Sequence, residues 1–246
     1  MRLYYLVERE GDGYFVRAAL GVDADRWSDL FRDVLDWRLE LYARCGIDPR
    51  GELQAPALLA PRHDGEAHLP PVGGAPVFMS GLRVIEQAAR RGGGIEVITV
   101  CLPTTGRGRH EEVSLGRLLT RINTSVIAAG THAFLIFDEV PEAPVTRLYR
   151  RLCVHNPIPS RFRAWGDGAP TRNIPLTRVV GGPAFRSARD DHLLQLVGFV
   201  AHALLLQEDG HGGAPEDLGL DRAFSILDRA LNRRASRRDP QGVVRR

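Results

Sequence analysis

The chain has 246 residues, of which 43% are hydrophobic and 26% are charged, and its formal net charge is +3. This composition is typical of a folded globular protein and excludes the disordered class. The longest apolar stretch, residues 193–206, is interrupted by Gln195 and His202 and is too short to span a membrane. The first residues lack the basic and apolar regions of a signal peptide, so we expect a cytoplasmic protein without membrane contacts.

The basic residues and the cysteines narrow the function only slightly. All 33 basic residues are arginine, a bias that a GC-rich genome explains without any function. The net charge by itself is therefore weak support for nucleic-acid binding. The three cysteines are far apart and lack ligand spacing, so they predict neither a disulfide framework nor a zinc module.

The first predicted elements are a β-hairpin and a helix. Residues 3–7 are apolar and aromatic, a Glu-Gly-Asp-Gly turn sequence follows shortly after, and residues 14–22 form the returning strand. Apolar residues then recur at helical spacing from Trp27 to Leu41. Residues 55–76 show no regular period and predict a loop excursion.

A helix followed by a strand then occurs twice. Residues 77–91 have a helical period and precede a strand at 95–102, and a second helical segment around Leu118 precedes a strand at 133–137. Proline-rich residues 154–186 predict a second loop excursion.

The last part of the chain predicts two further helices. Residues 188–207 are apolar on almost all sides, which is typical of a helix sandwiched between other elements. Residues 218–234 have the pattern of an amphipathic helix. The chain is therefore predicted as one α/β domain over residues 1–234, a mixed sheet opened by a hairpin and flanked by helices, followed by a basic tail at 235–246.

Three polar features are candidates for chemistry. Asp138 and Glu139 directly follow the strand at 133–137, where carboxylates can hold a divalent cation, although acidic residues also follow strands at ordinary turns. Glu8 begins an acidic run with Glu10 and Asp12 that is either one face of a strand or a hydrated turn. Gln195 interrupts the apolar helix, where it either satisfies backbone groups or binds a ligand.

Arginines form a cluster between the predicted strand at 133–137 and the proline-rich segment. Its members are Arg147, Arg150, Arg151, Arg161 and Arg163. A second cluster lies near the end of the sequence. Both clusters are open to two interpretations, a solvated face or a surface that binds phosphates.

Segments along nearly the whole chain share their order and spacing with one family. They are Val7-Glu8-Arg9-Glu10-Gly11, the Trp27 helix, Glu52-Leu53-Gln54-Ala55, Asp138-Glu139, and residues 155–160, 183–187, 194–201 and 239–244. In this order they resemble the bacterial and phage proteins called domain of unknown function 3800, whose core is similar to that of ribonuclease H. The resemblance implies a ribonuclease H-like sheet and a nuclease-type site.

Sites of that type bind magnesium or manganese through carboxylates from the first strand, a later strand and a late helix, and the ions activate water. This chain departs from the pattern, because Val7 and Gly198 stand where two of the carboxylates are expected and Gln54 replaces a histidine.

The residues that match the family's site are few. The resemblance implies catalytic positions at Glu8, Asp138, Glu139 and Gln195, with Glu8, Asp138 and Glu139 as metal ligands. Fewer anionic ligands hold a hard cation less tightly.

Three functions follow as expectations. The first is a catalytically degenerate ribonuclease H-like protein that acts by binding nucleic acid or a protein partner. The second is an active metal-dependent nuclease or phosphoester hydrolase, with a further ligand from Glu10, Asp12 or His202. The third is a structural or interaction subunit of a larger assembly, docking through residues 154–186 and the tail.

Overall fold

A mixed sheet with helices on both faces forms the framework of the protein. The structure is a computed structural model that describes residues 1–60, 73–104, 110–160, 164–210 and 219–245. The strands are β1 (Arg2–Glu10), β2 (Tyr14–Asp23), β3 (Ile95–Pro103), β4 (Ala133–Phe137), β5 (Pro157–Pro159), β6 (Thr171–Asn173) and β7 (Ala184–Phe185). The helices are α1 (Trp27–Cys45), α2 (Ala55–Leu59), α3 (Gly74–Arg90), α4 (His110–Ala128), α5 (Glu142–Val154) and α6 (His192–Asp209), followed by a short 3-10 helix at Leu220–Leu227.

The main sheet has the strand order β3-β2-β1-β4-β7. β1 pairs antiparallel with β2, which pairs antiparallel with β3, while β4 runs parallel to β1 and β7 runs parallel to β4. Strands β5 and β6 form a separate ribbon. The predicted hairpin is confirmed, and so is the mixed α/β sheet flanked by helices.

The two faces of the sheet bury two different sets of side chains. Tyr5 and Val7 of β1 belong to the apolar core that α1, α3 and α6 cover. Tyr4 and Leu6 belong to the core that α4 and α5 cover. Successive side chains of a strand point to opposite faces of the sheet. The side chains of β1 therefore alternate between the face that α6 covers, which we call the α6 side, and the face that α4 covers, which we call the α4 side.

Helix α6 is buried along nearly its whole length, as its all-round apolar pattern predicts. It begins four residues later than predicted because Asp191 caps it. The Oδ1 atom of Asp191 accepts hydrogen bonds from the backbone N–H groups of Leu193 at 2.9 Å and Leu194 at 3.1 Å. The helix passes under the centre of the sheet and beside the end of β1.

Several segments with weak periodicity differ from their predictions. The excursion at 55–76 contains α2 and the start of α3, and its residues 61–72 lie outside the described residues. The excursion at 154–186 contains β5, β6 and β7. The amphipathic helix predicted at 218–234 is reduced to a 3-10 helix at Leu220–Leu227, followed by turns.

The segment predicted as a basic tail packs against the sheet over residues 235–245. Val243 and Val244 are buried. The N–H of Val244 donates to the carbonyl of Thr99, and the N–H of Cys101 donates to the carbonyl of Val244, both at 3.0 Å. The guanidinium of Arg245 pairs with Glu208 and Asp239. These contacts cover the outer edge of β3.

In the described parts of the chain, no helix is both long and apolar enough to cross a membrane.

Candidate functional site

Asp138 lies at the end of β4, on the α6 side of the sheet. Its N–H donates to the carbonyl of Leu6 at 3.0 Å, which extends the parallel pairing of β4 with β1 by one residue and places Asp138 beside Val7. Its Oδ1 atom accepts from the N–H groups of Glu139 at 2.8 Å and Ala188 at 2.9 Å. The carboxylate therefore holds the segment that leads into α6.

Gln195 ties three segments together. It is 5% exposed, and its Nε2 donates to the carbonyls of Ala188 at 2.8 Å and Arg189 at 3.3 Å. Its Oε1 accepts from the N–H of Leu53 at 3.1 Å. Asp138 and Gln195 thus both bind the backbone of Ala188, and the structure brings these two predicted positions together with the motif at residues 52–55. The amide of Gln195 acts here as a positioning group.

Arg9 occupies the space next to Gly198. Val7 and Arg9 lie on the same face of β1, the face covered by α6. A Cβ atom built on Gly198 would lie 3.1 Å from Nη2 of Arg9. The Nη1 atom of Arg9 donates to the carbonyl of Glu8 at 2.8 Å. A guanidinium therefore stands beside the helix position at which the family resemblance implies a carboxylate.

His202 lies one turn further along α6, near the same guanidinium. Its ring is perpendicular to that of Phe78, with the ring centroids 6.0 Å apart. Burial, and then the positive charge of Arg9, lower the pKa of His202 to about 4. A neutral imidazole beside Arg9 adds no anionic ligand to this end of the sheet.

Glu8 points to the α4 side of the sheet, away from Val7 and Arg9. Its carboxylate forms an ion pair with Arg17, its direct neighbour on β2. Burial raises the pKa of Glu8 and lowers that of Arg17, because each charge loses water, while their mutual attraction opposes both shifts. Glu8 therefore does not share a sheet face with Asp138, although both lie near the same end of the sheet.

The remaining acidic candidates are exposed. Glu139 lies beside a shallow cavity of about 420 Å³ together with Arg186. Glu10 has an oxygen 3.9 Å from Nε2 of His110, and Asp12 is exposed in the hairpin turn.

The donor set on this end of the sheet does not fit a divalent cation. Among the described residues, no three or more histidine, cysteine, aspartate or glutamate side chains lie close enough to hold a metal ion. Oδ1 of Asp138 already accepts two N–H groups. The guanidinium of Arg9 adds a positive charge, which repels a cation. The assignment of metal to Glu8, Asp138 and Glu139 stays a prediction that this arrangement does not support.

The arginine cluster predicted to bind nucleic acid lies on α5. Arg147, Arg150 and Arg151 are exposed on this helix. The Nη2 of Arg151 donates to the Oε1 of Glu112 at 2.6 Å. Arg161 and Arg163 lie outside the described residues.

Arg147 and Arg151 also border a second cavity, of about 460 Å³, whose floor contains Glu8 and Arg17. The arginine cluster and this cavity therefore form one surface, on the α4 side of the sheet.

Sequence reasoning missed two contacts of the candidate site, namely Arg9 beside Gly198 and Arg17 beside Glu8. The period of two along β1 contains the signal for the first, because it places Arg9 on the face of Val7. The contact between Arg17 and Glu8 could be predicted only from the register of the hairpin, which pairs these two residues.

A comparison of the chain with models of known protein families and with curated proteins gave no match.

Proposed function

We propose that this protein is a catalytically degenerate ribonuclease H-like protein that binds nucleic acid without cleaving it. The observation that carries the proposal is the guanidinium of Arg9 beside Gly198. In a metal-dependent nuclease this end of the sheet holds cations between carboxylates. Here the positively charged guanidinium of Arg9 lies beside one of the positions at which the resemblance implies a carboxylate.

The sheet supports the ribonuclease H-like part of the proposal. Three antiparallel strands are followed by two strands parallel to β1, in the order β3-β2-β1-β4-β7. The resemblance to the domain of unknown function 3800 family implies a mixed sheet that is opened by a hairpin, and this sheet is compatible with that expectation. Asp138 stands at the end of β4 beside the first strand, where the resemblance places a carboxylate.

The exposed arginines of α5 support the nucleic-acid part. Arg147, Arg150 and Arg151 are three guanidinium groups within five residues, and guanidinium groups bind phosphates in bidentate geometry. Binding of a protein partner, or a role as an assembly subunit, stays a prediction.

The test is binding of labelled DNA and RNA, measured by fluorescence anisotropy over a series of salt concentrations. We expect binding whose log-log salt slope falls by about 2 to 3 when Arg147, Arg150 and Arg151 are all changed to Ala, because each lost phosphate contact removes ~0.9 from the slope. The matched control changes Arg234, Arg237 and Arg238, which are exposed and also lie within five residues.

Equal losses in the two triple variants would reduce the effect to net charge and contradict a specific surface. Cleavage of either nucleic acid with manganese, abolished by Asp138→Ala, would overturn the degenerate part of the proposal.

A further inference from the structure

The cavity next to the arginine cluster has apolar walls. It lies between the first turns of α4, the first turns of α5 and the ends of β1 and β2, and its volume is about 460 Å³. Its walls are formed by Leu115, Val140, Pro141, Pro144, Val145 and Leu148. A cavity of this size, in which apolar walls are combined with charged groups at the floor and the mouth, can hold a small organic group.

The floor of the cavity is polar. Arg17 is only 5% exposed, and its Nε donates to Oγ of Ser114 at 3.1 Å. Its Nη2 lies against Glu8 and donates to the carbonyl of Glu111 at 3.5 Å. The guanidinium is held at both ends, so it presents hydrogen-bond donors in a fixed direction next to the acceptor oxygens of Glu8.

The charges on the floor of the cavity balance. Glu8 and Arg17 form an ion pair there, so a simple anion or a simple cation gains no net attraction from the floor. Glu111, Glu112, Arg147 and Arg151 lie nearer the mouth. A neutral group with both donors and acceptors is the ligand that such a floor favours.

We infer that this cavity binds one unstacked base of a single-stranded nucleic acid, with the neighbouring phosphates on Arg147 and Arg151. This inference rests on the proposed function and specifies which form of nucleic acid binds to the exposed arginines of α5 and the cavity beside them. The flat apolar faces of a base fit between the side chains of the walls. The edge of every base carries both donors and acceptors, which match Arg17 and Glu8 on the floor.

A base pair cannot enter in the same way. In a duplex the Watson–Crick edges are already paired and the faces are stacked, so a base must leave the helix at a cost of a few kcal/mol before it can reach the floor. Arg147 and Arg151 lie one helical turn apart at the mouth and remain able to contact the backbone of either form. We therefore expect the cavity to bind single strands in preference to duplexes, whereas Arg147 and Arg151 should bind both forms.

The experiment closes the cavity without a change in charge. Val140→Trp places a large side chain into the wall, and Pro144→Trp does the same from the first turn of α5. The matched control is Val154→Trp, at a position that is 75% exposed at the other end of α5. Thermal unfolding of each variant shows that it is folded. The probes are a fluorescein-labelled DNA single strand that contains one 2-aminopurine, and the duplex of the same sequence.

We expect the wild-type protein to bind the single strand about tenfold more tightly than the duplex at the same salt concentration, since the aliphatic walls remove the apolar faces of one base from water. The fluorescence of the 2-aminopurine should rise because the base leaves its stack. Both Trp variants in the cavity fill this space, so they should lose about tenfold in affinity for the single strand and keep their affinity for the duplex. Val154→Trp should behave as the wild type.

The results separate this inference from the proposed function. If the Arg147, Arg150 and Arg151 variant loses affinity but either folded cavity variant binds the single strand as the wild type does, the base site is refuted and the proposed function stands. Equal affinity of the wild type for single strand and duplex also refutes the base site. If the wild-type protein binds neither nucleic acid at low salt, the proposed function fails and the base site fails with it.

Discussion

Substitution of Gly198 by Asp tests whether Arg9 has taken over the place of a metal ion. The substitution restores the carboxylate that the family resemblance implies on the late helix. A Cβ at this position would lie 3.1 Å from Nη2 of Arg9. The contact is tight, but it is with the far end of a flexible side chain, which can move slightly. We therefore expect the new carboxylate to form an ion pair with Arg9 and to bind no metal.

The expected effect on stability is a small gain. Glycine in a helix interior costs about 1 kcal/mol relative to alanine, and aspartate costs slightly less, so the backbone contributes a few tenths of a kcal/mol. Gly198 is buried and Arg9 is half-buried, so the water that the two charges lose offsets most of their attraction. The net gain is therefore a few tenths of a kcal/mol, which raises the melting temperature of a protein of this size by about 1 °C.

The assay is thermal unfolding with and without magnesium or manganese, because a metal that binds only the folded state raises the melting temperature. Gly198→Asp should be at least as stable as the wild type and insensitive to either metal. Gly198→Asn, which is similar in size but uncharged, should have about the same stability, because the buried ion pair contributes little net free energy. Combining Arg9→Ala with Gly198→Asp removes the guanidinium and should give a metal-dependent rise.

A metal-dependent rise in Gly198→Asp with Arg9 intact, as large as in the combined variant, would refute the reasoning. A much lower stability of the Asp variant than of the Asn variant would show that no ion pair forms, because the carboxylate would then be buried without a partner.

Two further predictions concern buried polar groups. Glu96 accepts hydrogen bonds from the buried residues Arg2 and Tyr4 and from the half-buried residues Ser125 and Asn232. Glu96→Ala removes this shared acceptor and should lower the free energy of unfolding by about 3 kcal/mol or more. The assay is thermal unfolding, and the control is Glu112→Ala, which breaks a more exposed pair with Arg151. The control should lose less than about 1 kcal/mol of stability. Similar losses in the two variants would contradict the buried network. The pKa of His202 is lowered to about 4 in the folded protein. As the pH drops, the unfolded chain therefore binds a proton at His202 at a higher pH than the folded protein does. The free energy of unfolding should fall by about 2–3 kcal/mol between about pH 6.5 and about pH 4. Denaturant unfolding at several pH values should show that His202→Gln removes this part of the decrease, and an unchanged pH dependence would refute it.

The regular elements could be predicted because their periods are clear. The hairpin has a strong turn sequence, and α1 and α6 have long runs of apolar residues at helical spacing. The 3-10 helix at Leu220–Leu227 has an equally helical apolar pattern. It is followed by the chain's return to the sheet, where Leu231 bridges to Val97. A tertiary contact of this kind outweighs local propensity and has no signal in a short sequence window.

The candidate site was predicted in part. Asp138 and Gln195 come together, because a strand end and a helix start meet at Ala188. Glu8 is on the opposite face of the sheet from Asp138, since it is one residue away from Val7 and a shift of one residue reverses the face of a strand. Its partner Arg17 is set by the register of the hairpin, which the composition of the turn alone does not determine.

The contact between Val244 and the outer edge of β3 has a consequence for self-association. An edge strand with free N–H and C=O groups is a template on which a second molecule can add a strand, and this is a common route to aggregation. Val244 and Leu231 each bridge to β3 and take up some of these groups. At the opposite edge the sheet ends in β7, which is only two residues long. Truncation before Val243 would uncover the backbone around Val100, and we expect such a fragment to form aggregates even if the rest of the fold persists.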